Sequence, residues 1–246
     1  MAFTSGFQYD IFISYARDNN HGGDSGWVTR FHKRLENELK EITSRELRIW
    51  RDEERVDRNE EFEKKIRASV ENSAIFLAVN SLAYWQSDYC KNEVGWFVSR
   101  TAADGIGPAV YGRKRIFNVR YNNVQKSEWP ESFQEAQGSQ FHKKPVEDEV
   151  ALALRPDSTE FEGEFEKLLQ ALRHTLEEIK ARIGTVSEGA ETPRPFTVFL
   201  AETSEELRNR LRKRVAIELQ NNGLHVINGA PLLNSVEHDK QAVRLI

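Results

Sequence analysis

The chain has 246 residues, of which 39% are hydrophobic and 30% charged, enough for one large domain or for one domain with a smaller second unit. Its formal net charge of −4 is close to balance, so we expect no direct nucleic-acid partner and no binding to an anionic membrane. Cys90 is the only cysteine, which excludes a disulfide framework within the chain and is typical of a reducing cytoplasm. We expect neither a signal peptide nor a membrane-spanning segment, and therefore a cytoplasmic protein.

In chain order, short apolar runs alternate with longer segments of helical periodicity. The runs predict strands at residues 9–14, 47–50, 74–79 and 116–119, followed by an irregular stretch at 129–140 and a short fifth strand at Phe141. The longer segments predict helices at 27–42, 62–70, 89–100 and 161–183, with Asn59 as a candidate cap of the second. The basic run 113–115 is predicted to be a solvated strand entry. The alternation indicates an α/β fold with a parallel sheet and helices on both faces.

The last part of the chain has a different organisation. Residues 1–184 are predicted to form the main domain, and residues 185–195, rich in small residues and proline, form a linker. Strands at 196–201 and 224–227, a helix at 207–219 with the capping pair Thr203 and Glu206, and a partial helix at 236–246 follow. This partial βαβ unit of residues 196–246 is too small to bury its own faces, so we expect a truncated unit or one that other protein surface completes.

A parallel sheet of this kind has its ligand crevice beyond the carboxyl ends of the strands. Three segments follow predicted strands and are therefore expected to surround one crevice: residues 14–18, 50–57 and 80–87.

The most informative segment follows the third strand and has the pattern Ser-x-x-Tyr-x-x-Ser-x-x-Cys-x-x-Glu at residues 81–93. Residues 9–15 (YDIFISY) and 49–53 (IWRDE) accompany it in matching order. Together these three segments resemble the signature boxes of the TIR (Toll/interleukin-1 receptor) domain family, over about residues 7–183. The resemblance implies a flavodoxin-like fold with a five-stranded parallel sheet.

The resemblance also implies a choice between two functions. Some TIR domains are interaction modules, whereas others, including many bacterial members, cleave NAD⁺ with a glutamate at the position of Glu93. The expectation is therefore an NAD⁺ glycohydrolase that forms ADP-ribose or a cyclic isomer. It would be a bacterial antiphage effector that is activated by oligomerisation with other TIR domains. NAD⁺ would be the substrate, with no cofactor and no metal, and the six histidines have no metal-ligand spacing.

The chemistry of the substrate is compatible with a single carboxylate. Nicotinamide leaves the ribose as a neutral molecule, so no acid is needed to protonate it, unlike the departing oxygen in ordinary glycoside hydrolysis. Glu93 alone can stabilise the oxocarbenium-like transition state. Helical spacing places Glu93 on one face with Tyr89 and Cys90, and this face borders the predicted crevice. Cys90 is expected to pack in the core rather than to act as a nucleophile.

The family resemblance implies a set of substrate-binding residues around Glu93: Ser14, Tyr15, Arg17, Trp50, Ser87 and Tyr89. Ser14 would donate to a phosphate or ribose oxygen, and Arg17 would pair with the pyrophosphate or remain a solvated loop residue. Trp50 would stack on a base or pack in the core. Tyr89 would form a wall for the nicotinamide ribose.

Several alternatives remain open at this stage. The charged loop 51–61 is expected to mediate head-to-tail assembly and to gate the site, although it lacks the Pro-Gly turn of many family members. A non-enzymatic TIR scaffold would act by assembly alone. A nucleoside deoxyribosyltransferase also uses a glutamate on this topology. A response-regulator receiver is disfavoured because Asn80, rather than a phosphorylatable aspartate, ends the third strand. Rossmann and P-loop chemistry are disfavoured because the chain has no phosphate-binding glycine motif.

Overall fold

The structure, a computed structural model, describes residues 2–22, 25–52, 60–130, 133, 136–145, 149–187, 197–200 and 225–228. Several predicted features therefore lie outside the described residues: the Asn59 cap, most of the charged loop, the Thr203–Glu206 capping pair and the helices at 207–219 and 236–246. The chain has two compact units, residues 1–188 and 189–246. The predicted linker and the exact domain limits stay predictions.

The first unit contains a five-stranded sheet in the order β2-β1-β3-β6-β7. Every neighbouring pair in this sheet is parallel, which confirms the predicted α/β fold. The strands are β1 (Tyr9–Tyr15), β2 (Ile49–Arg51), β3 (Ser73–Asn80), β6 (Ile116–Arg120) and β7 (Gln137–Gln140). A separate hairpin joins β4 (Ala109–Val110) to β5 (Arg113–Lys114).

Helices cover both faces of this sheet. They are α1 (Trp27–Thr43), α2 (Glu60–Glu71), α3 (Leu82–Gln86), α4 (Asp88–Ala103) and α5 (Thr159–Ser187). Alternate residues of β1 point to opposite faces, so Ile11 and Ile13 pack in the core under α1 and α5, whereas Phe12 packs in the core under α2 and α4. All eight residues of β3 are buried, as expected for a central strand covered on both faces.

The fifth strand differs from its prediction. It comprises Gln137–Gln140, inside the stretch predicted to be irregular, and it ends directly before Phe141. Its sequence is polar and has no apolar pattern that would predict a strand. It forms an edge strand through backbone hydrogen bonds to one neighbour, β6, and these do not require an apolar pattern. Phe141 continues the pairing through a hydrogen bond from its N–H to the Arg120 carbonyl (2.9 Å) and is fully buried.

The prediction of a solvated basic run at 113–115 was wrong for Arg115, whose side chain is fully buried. Its Nη1 donates to Asp104 Oδ2 (2.5 Å) and to the Gly107 carbonyl (2.9 Å), and its Nε donates to the Ala74 carbonyl (2.8 Å). A charged side chain is tolerated in the interior when it is paired and hydrogen-bonded in this way.

In the second unit, β8 (Thr197–Leu200) and β9 (His225–Asn228) form a parallel pair, close to the strands predicted at 196–201 and 224–227. Within the described ranges, no helix combines the length and the apolar character needed to cross a membrane.

Candidate active site

A cavity of about 270 Å³ lies at the carboxyl ends of β1 and β2, against the first turns of α4. Each of the three segments predicted to surround a crevice contributes to its wall through described residues. The wall includes most of the residues predicted to form the site: Tyr15, Arg17, Trp50, Ser87, Tyr89 and Glu93. The topology thus gathers residues that are far apart in sequence at one edge of the sheet.

Glu93 lies on α4, with only 8% of its surface exposed. The helix begins after Ser87, whose side chain caps it by accepting a hydrogen bond from the Cys90 N–H (3.4 Å). Ser14 Oγ donates to Glu93 Oε2 over 2.5 Å, a short bond of the kind formed by hydroxyls with carboxylates. The carboxylate of a residue in the cavity wall is therefore held by a side chain of the interior strand β1.

Ser14 differs from its predicted placement. It is only 1% exposed and is not part of the cavity wall, because it lies behind Glu93. Its hydroxyl proton is donated to Glu93 rather than directed at a phosphate or ribose.

Asp52 contacts two other residues of the cavity wall, Arg17 and Tyr15. Arg17 forms an ion pair with the Asp52 carboxylate at 3.7 Å, and its side chain is 46% exposed. The Tyr15 hydroxyl donates to the Asp52 carbonyl (2.5 Å), which ties the end of β1 to the residue that follows β2. Arg17 thus presents a partly compensated positive charge at the rim.

Trp50 packs in the core, which is one of the two roles considered for it, while stacking on a base stays a prediction. Its ring stacks on Phe12 with centroids 4.6 Å apart and planes 10° apart, and it also lines the cavity. Cys90 is buried and packs with Tyr84 and Val94 in the core under α2 and α4, in agreement with the expected packing role.

The sequence interpretation did not single out Tyr84 or Ser81, although both belong to the signature segment. The Tyr84 hydroxyl lies 2.7 Å from Ser14 Oγ, so that Ser14 is hydrogen-bonded to both Tyr84 and Glu93. Burial, followed by the nearby Cys90 and Glu93, raises the pKa of Tyr84 well above its ordinary value. Ser81 caps α3 by accepting from the Tyr84 N–H (3.1 Å) and donates to Asn19 Oδ1 (2.8 Å). The spacing of the motif was the available signal for both residues.

In the part of the chain that the structure describes, no cluster of three or more His, Cys, Asp or Glu side chains could hold a metal ion.

The family model described as TIR domain matches residues 11–155, which is more than half of the chain. The chain belongs to the TIR domain family. Its matched region contains most of β1, all of β2 to β7, the cavity and every predicted site residue.

Three solved structures of TIR-containing proteins are similar to this TIR chain. The TIR domain of the Toll-related receptor TRR-2 from Hydra magnipapillata is 16% identical, with 68% of this chain and 99% of that chain covered and a TM-score of 0.41. The TIR domains of the activated Roq1 resistosome are 15% identical (71% and 84% covered, TM-score 0.33). The metazoan TIR-STING receptor from C. gigas is 16% identical (79% and 56% covered, TM-score 0.37). No curated protein matches this chain in sequence.

Proposed function

We propose that this TIR domain is an NAD⁺ glycohydrolase in which the Glu93 carboxylate stabilises the ribosyl cation. The observation that carries the proposal is the fixed position of this carboxylate. Oε2 is held by Ser14, and the residue lies in the wall of a cavity that Tyr89 and Trp50 line with aromatic rings. A preorganised negative charge of this kind acts on the positive charge that develops on the ribose during bond cleavage.

The bond between the ribose anomeric carbon and the nicotinamide nitrogen breaks, and its electron pair leaves with nicotinamide, which becomes neutral. Glu93 stabilises the resulting cation until a nucleophile adds to the anomeric carbon. Water as nucleophile gives ADP-ribose and releases one proton, whereas a nitrogen of the adenine gives a cyclic isomer. NAD⁺ is the substrate in this scheme, and the reaction requires no cofactor.

The size of the cavity supports a site that a second TIR domain completes. Its volume of about 270 Å³ is slightly below the ~300–1,000 Å³ that is usual for small-molecule sites. In this proposal the cavity holds the nicotinamide riboside portion of NAD⁺, and the rest of the dinucleotide would extend past Arg17 and Asp52. Contact with another copy would cover that exposed portion. We therefore propose a cytoplasmic effector whose assembly switches on NAD⁺ depletion or an ADP-ribose signal, as in bacterial antiphage defence.

The test is NAD⁺ consumption and nicotinamide release by the purified full chain at high protein concentration. Glu93→Gln keeps the size of the side chain and removes its charge, so we expect turnover to fall by on the order of 10²–10³-fold, as for other lost electrostatic stabilisers. Glu93→Ala should behave alike. Glu166→Gln, at an exposed position on α5, is the matched control and should retain wild-type turnover.

Equal turnover in the wild type and Glu93→Gln would overturn the proposed role of Glu93. A wild-type chain that self-associates but leaves NAD⁺ intact at every concentration would instead favour the non-enzymatic scaffold.

A further inference from the structure

We infer that Tyr84 and Ser14 are positioning residues that hold the Glu93 carboxylate in its reactive orientation through a buried chain of hydrogen bonds. This inference rests on the proposed function of Glu93. It assigns a role to Tyr84, which does not line the cavity, and a role to Ser14 other than contact with the substrate.

The chain of hydrogen bonds joins three separate elements. Tyr84 lies on α3, Ser14 on β1 and Glu93 on α4, and all three side chains are buried. The Tyr84 hydroxyl is 2.7 Å from Ser14 Oγ, and Ser14 Oγ is 2.5 Å from Glu93 Oε2. The first distance is ordinary for a hydrogen bond between hydroxyls, and the second is the short distance of a hydroxyl that donates to a carboxylate.

The direction of the chain follows from counting protons. A serine hydroxyl carries one proton and accepts through its lone pairs, whereas an ionised carboxylate only accepts. When Ser14 donates to Glu93, Tyr84 is the donor in its bond to Ser14. The raised pKa of Tyr84 keeps its hydroxyl protonated, so that it remains a donor across the physiological pH range. Each bond polarises the next, which strengthens the hydrogen bond that reaches the carboxylate.

Rigid neighbours hold the two hydroxyl-bearing members, Ser14 and Tyr84, in place. Ser14 is paired with Ala78 in the parallel ladder between β1 and β3. Tyr84 follows the Ser81 cap, and its ring packs edge-on against Trp85 with centroids 4.9 Å apart. The carboxylate is therefore attached to the central sheet and not only to its own helix. Removing one link allows it to rotate away from the orientation in which it faces a ribosyl cation.

The experiment is a double-mutant cycle in the full chain with Tyr84→Phe, Ser14→Ala and the double variant, each assayed for kcat and KM toward NAD⁺. Tyr84→Phe removes only the hydroxyl and retains the buried ring. We expect kcat to fall about tenfold in Tyr84→Phe and at least as much in Ser14→Ala, with KM within about twofold of wild type, as for interactions that act in the transition state. The double variant should be no slower than Ser14→Ala, because Tyr84 acts through Ser14.

Two matched controls separate positioning from folding. Ser73→Ala removes a buried serine hydroxyl at the opposite end of β3, where it donates to the Ser69 carbonyl (2.7 Å). Tyr121→Phe removes the hydroxyl of a half-buried tyrosine outside the cavity wall. Both should keep wild-type kcat, and thermal unfolding of every variant verifies that the assays are made on folded protein.

The possible outcomes are distinguishable. Wild-type turnover that is lost in Glu93→Gln but retained in Tyr84→Phe and Ser14→Ala would overturn this inference and leave the proposed function intact. Losses in kcat that multiply in the double variant would also overturn it, because independent packing effects multiply. If Tyr84→Phe does not fold, the test compares the kcat of Ser14→Ala with that of Ser73→Ala. A loss in Ser14→Ala alone supports the inference, and equal values overturn it. A wild-type chain that does not consume NAD⁺ would overturn the proposed function and this inference together.

Discussion

At the scale of single residues, the rim of the cavity contains a charge that already has a partner. Arg17 pairs with Asp52 at 3.7 Å, and the two side chains are 46% and 22% exposed. A pyrophosphate that binds Arg17 competes with this carboxylate. Because the pair is partly solvated, its attraction is weak, and a bidentate phosphate contact can replace it.

Substitutions at this pair should change KM more than kcat. Asp52→Asn removes the competing charge but keeps the backbone carbonyl that Tyr15 binds, so we expect KM for NAD⁺ to fall by up to about fivefold. Arg17→Gln should raise KM about tenfold through the loss of a charged hydrogen bond. Arg30→Gln is the control, since Arg30 has similar exposure (45%) in an ion pair with Asp157. A rise in KM for Asp52→Asn would contradict this account of the rim.

At the scale of elements, the end of α4 is fastened to the start of β6 by the buried pair of Asp104 and Arg115. Asp104 Oδ2 accepts from Arg115, and Oδ1 accepts from the N–H groups of Ile106 (2.9 Å) and Gly107 (3.0 Å). The Arg115 guanidinium also lies over the ring of Phe97 at 5.5 Å. Burial lowers the pKa of Arg115, and Asp104 opposes that effect. This pair therefore holds the C-terminal end of α4, the helix that bears Glu93 in its first half.

Breaking this pair should destabilise the fold strongly. Asp104→Ala leaves a buried guanidinium without its counter-charge, so we expect the free energy of unfolding to fall by about 3–5 kcal/mol. Asp157→Ala, in the exposed pair with Arg30, should cost less than about 1 kcal/mol. Chemical denaturation of the two variants measures both values, and equal losses would contradict the role assigned to Asp104.

At the scale of the whole molecule, the site lies at the carboxyl ends of β1 and β2. The short strand β2 is the outermost strand on that side of the sheet. Trp50 on β2 and Arg17 after β1 form part of the rim, where the bound dinucleotide would extend out of the cavity. A second TIR domain placed there would exclude water from the reacting ribose and strengthen the electrostatic effect of Glu93.

If the chain has the proposed NADase activity, the rate per chain should therefore rise with protein concentration. We expect a more than proportional increase in NAD⁺ consumption over the range in which light scattering detects association. Addition of inactive Glu93→Gln chains to dilute wild type should raise the wild-type rate if the second copy contributes surface to the site. A constant rate per chain across the association range would show that a single TIR domain contains the complete site.

Elements with local apolar patterns were predictable from the sequence, whereas features that depend on distant partners were not. The strands β1 and β3 and the helix α1 were predictable because their apolar patterns are local and strong. The edge strand Gln137–Gln140 was not, since its hydrogen bonds to β6 depend on no side-chain pattern. Arg115 was expected in solvent because a basic run is normally exposed, and only its distant partners reveal why it is buried.

The sequence by itself determined the TIR family, the α/β fold and the place of Glu93 on the helix after the third strand, because motif spacing and periodicity are local properties. Only the tertiary structure decided that Ser14 lies behind Glu93, that Tyr84 completes a chain of hydrogen bonds and that Asp52 forms an ion pair with Arg17. Ser14 and Tyr84 are 70 positions apart in sequence, and Ser14 and Glu93 are 79 apart. They meet because the parallel register of β1 with β3 brings the carboxyl ends of both strands to one edge of the sheet.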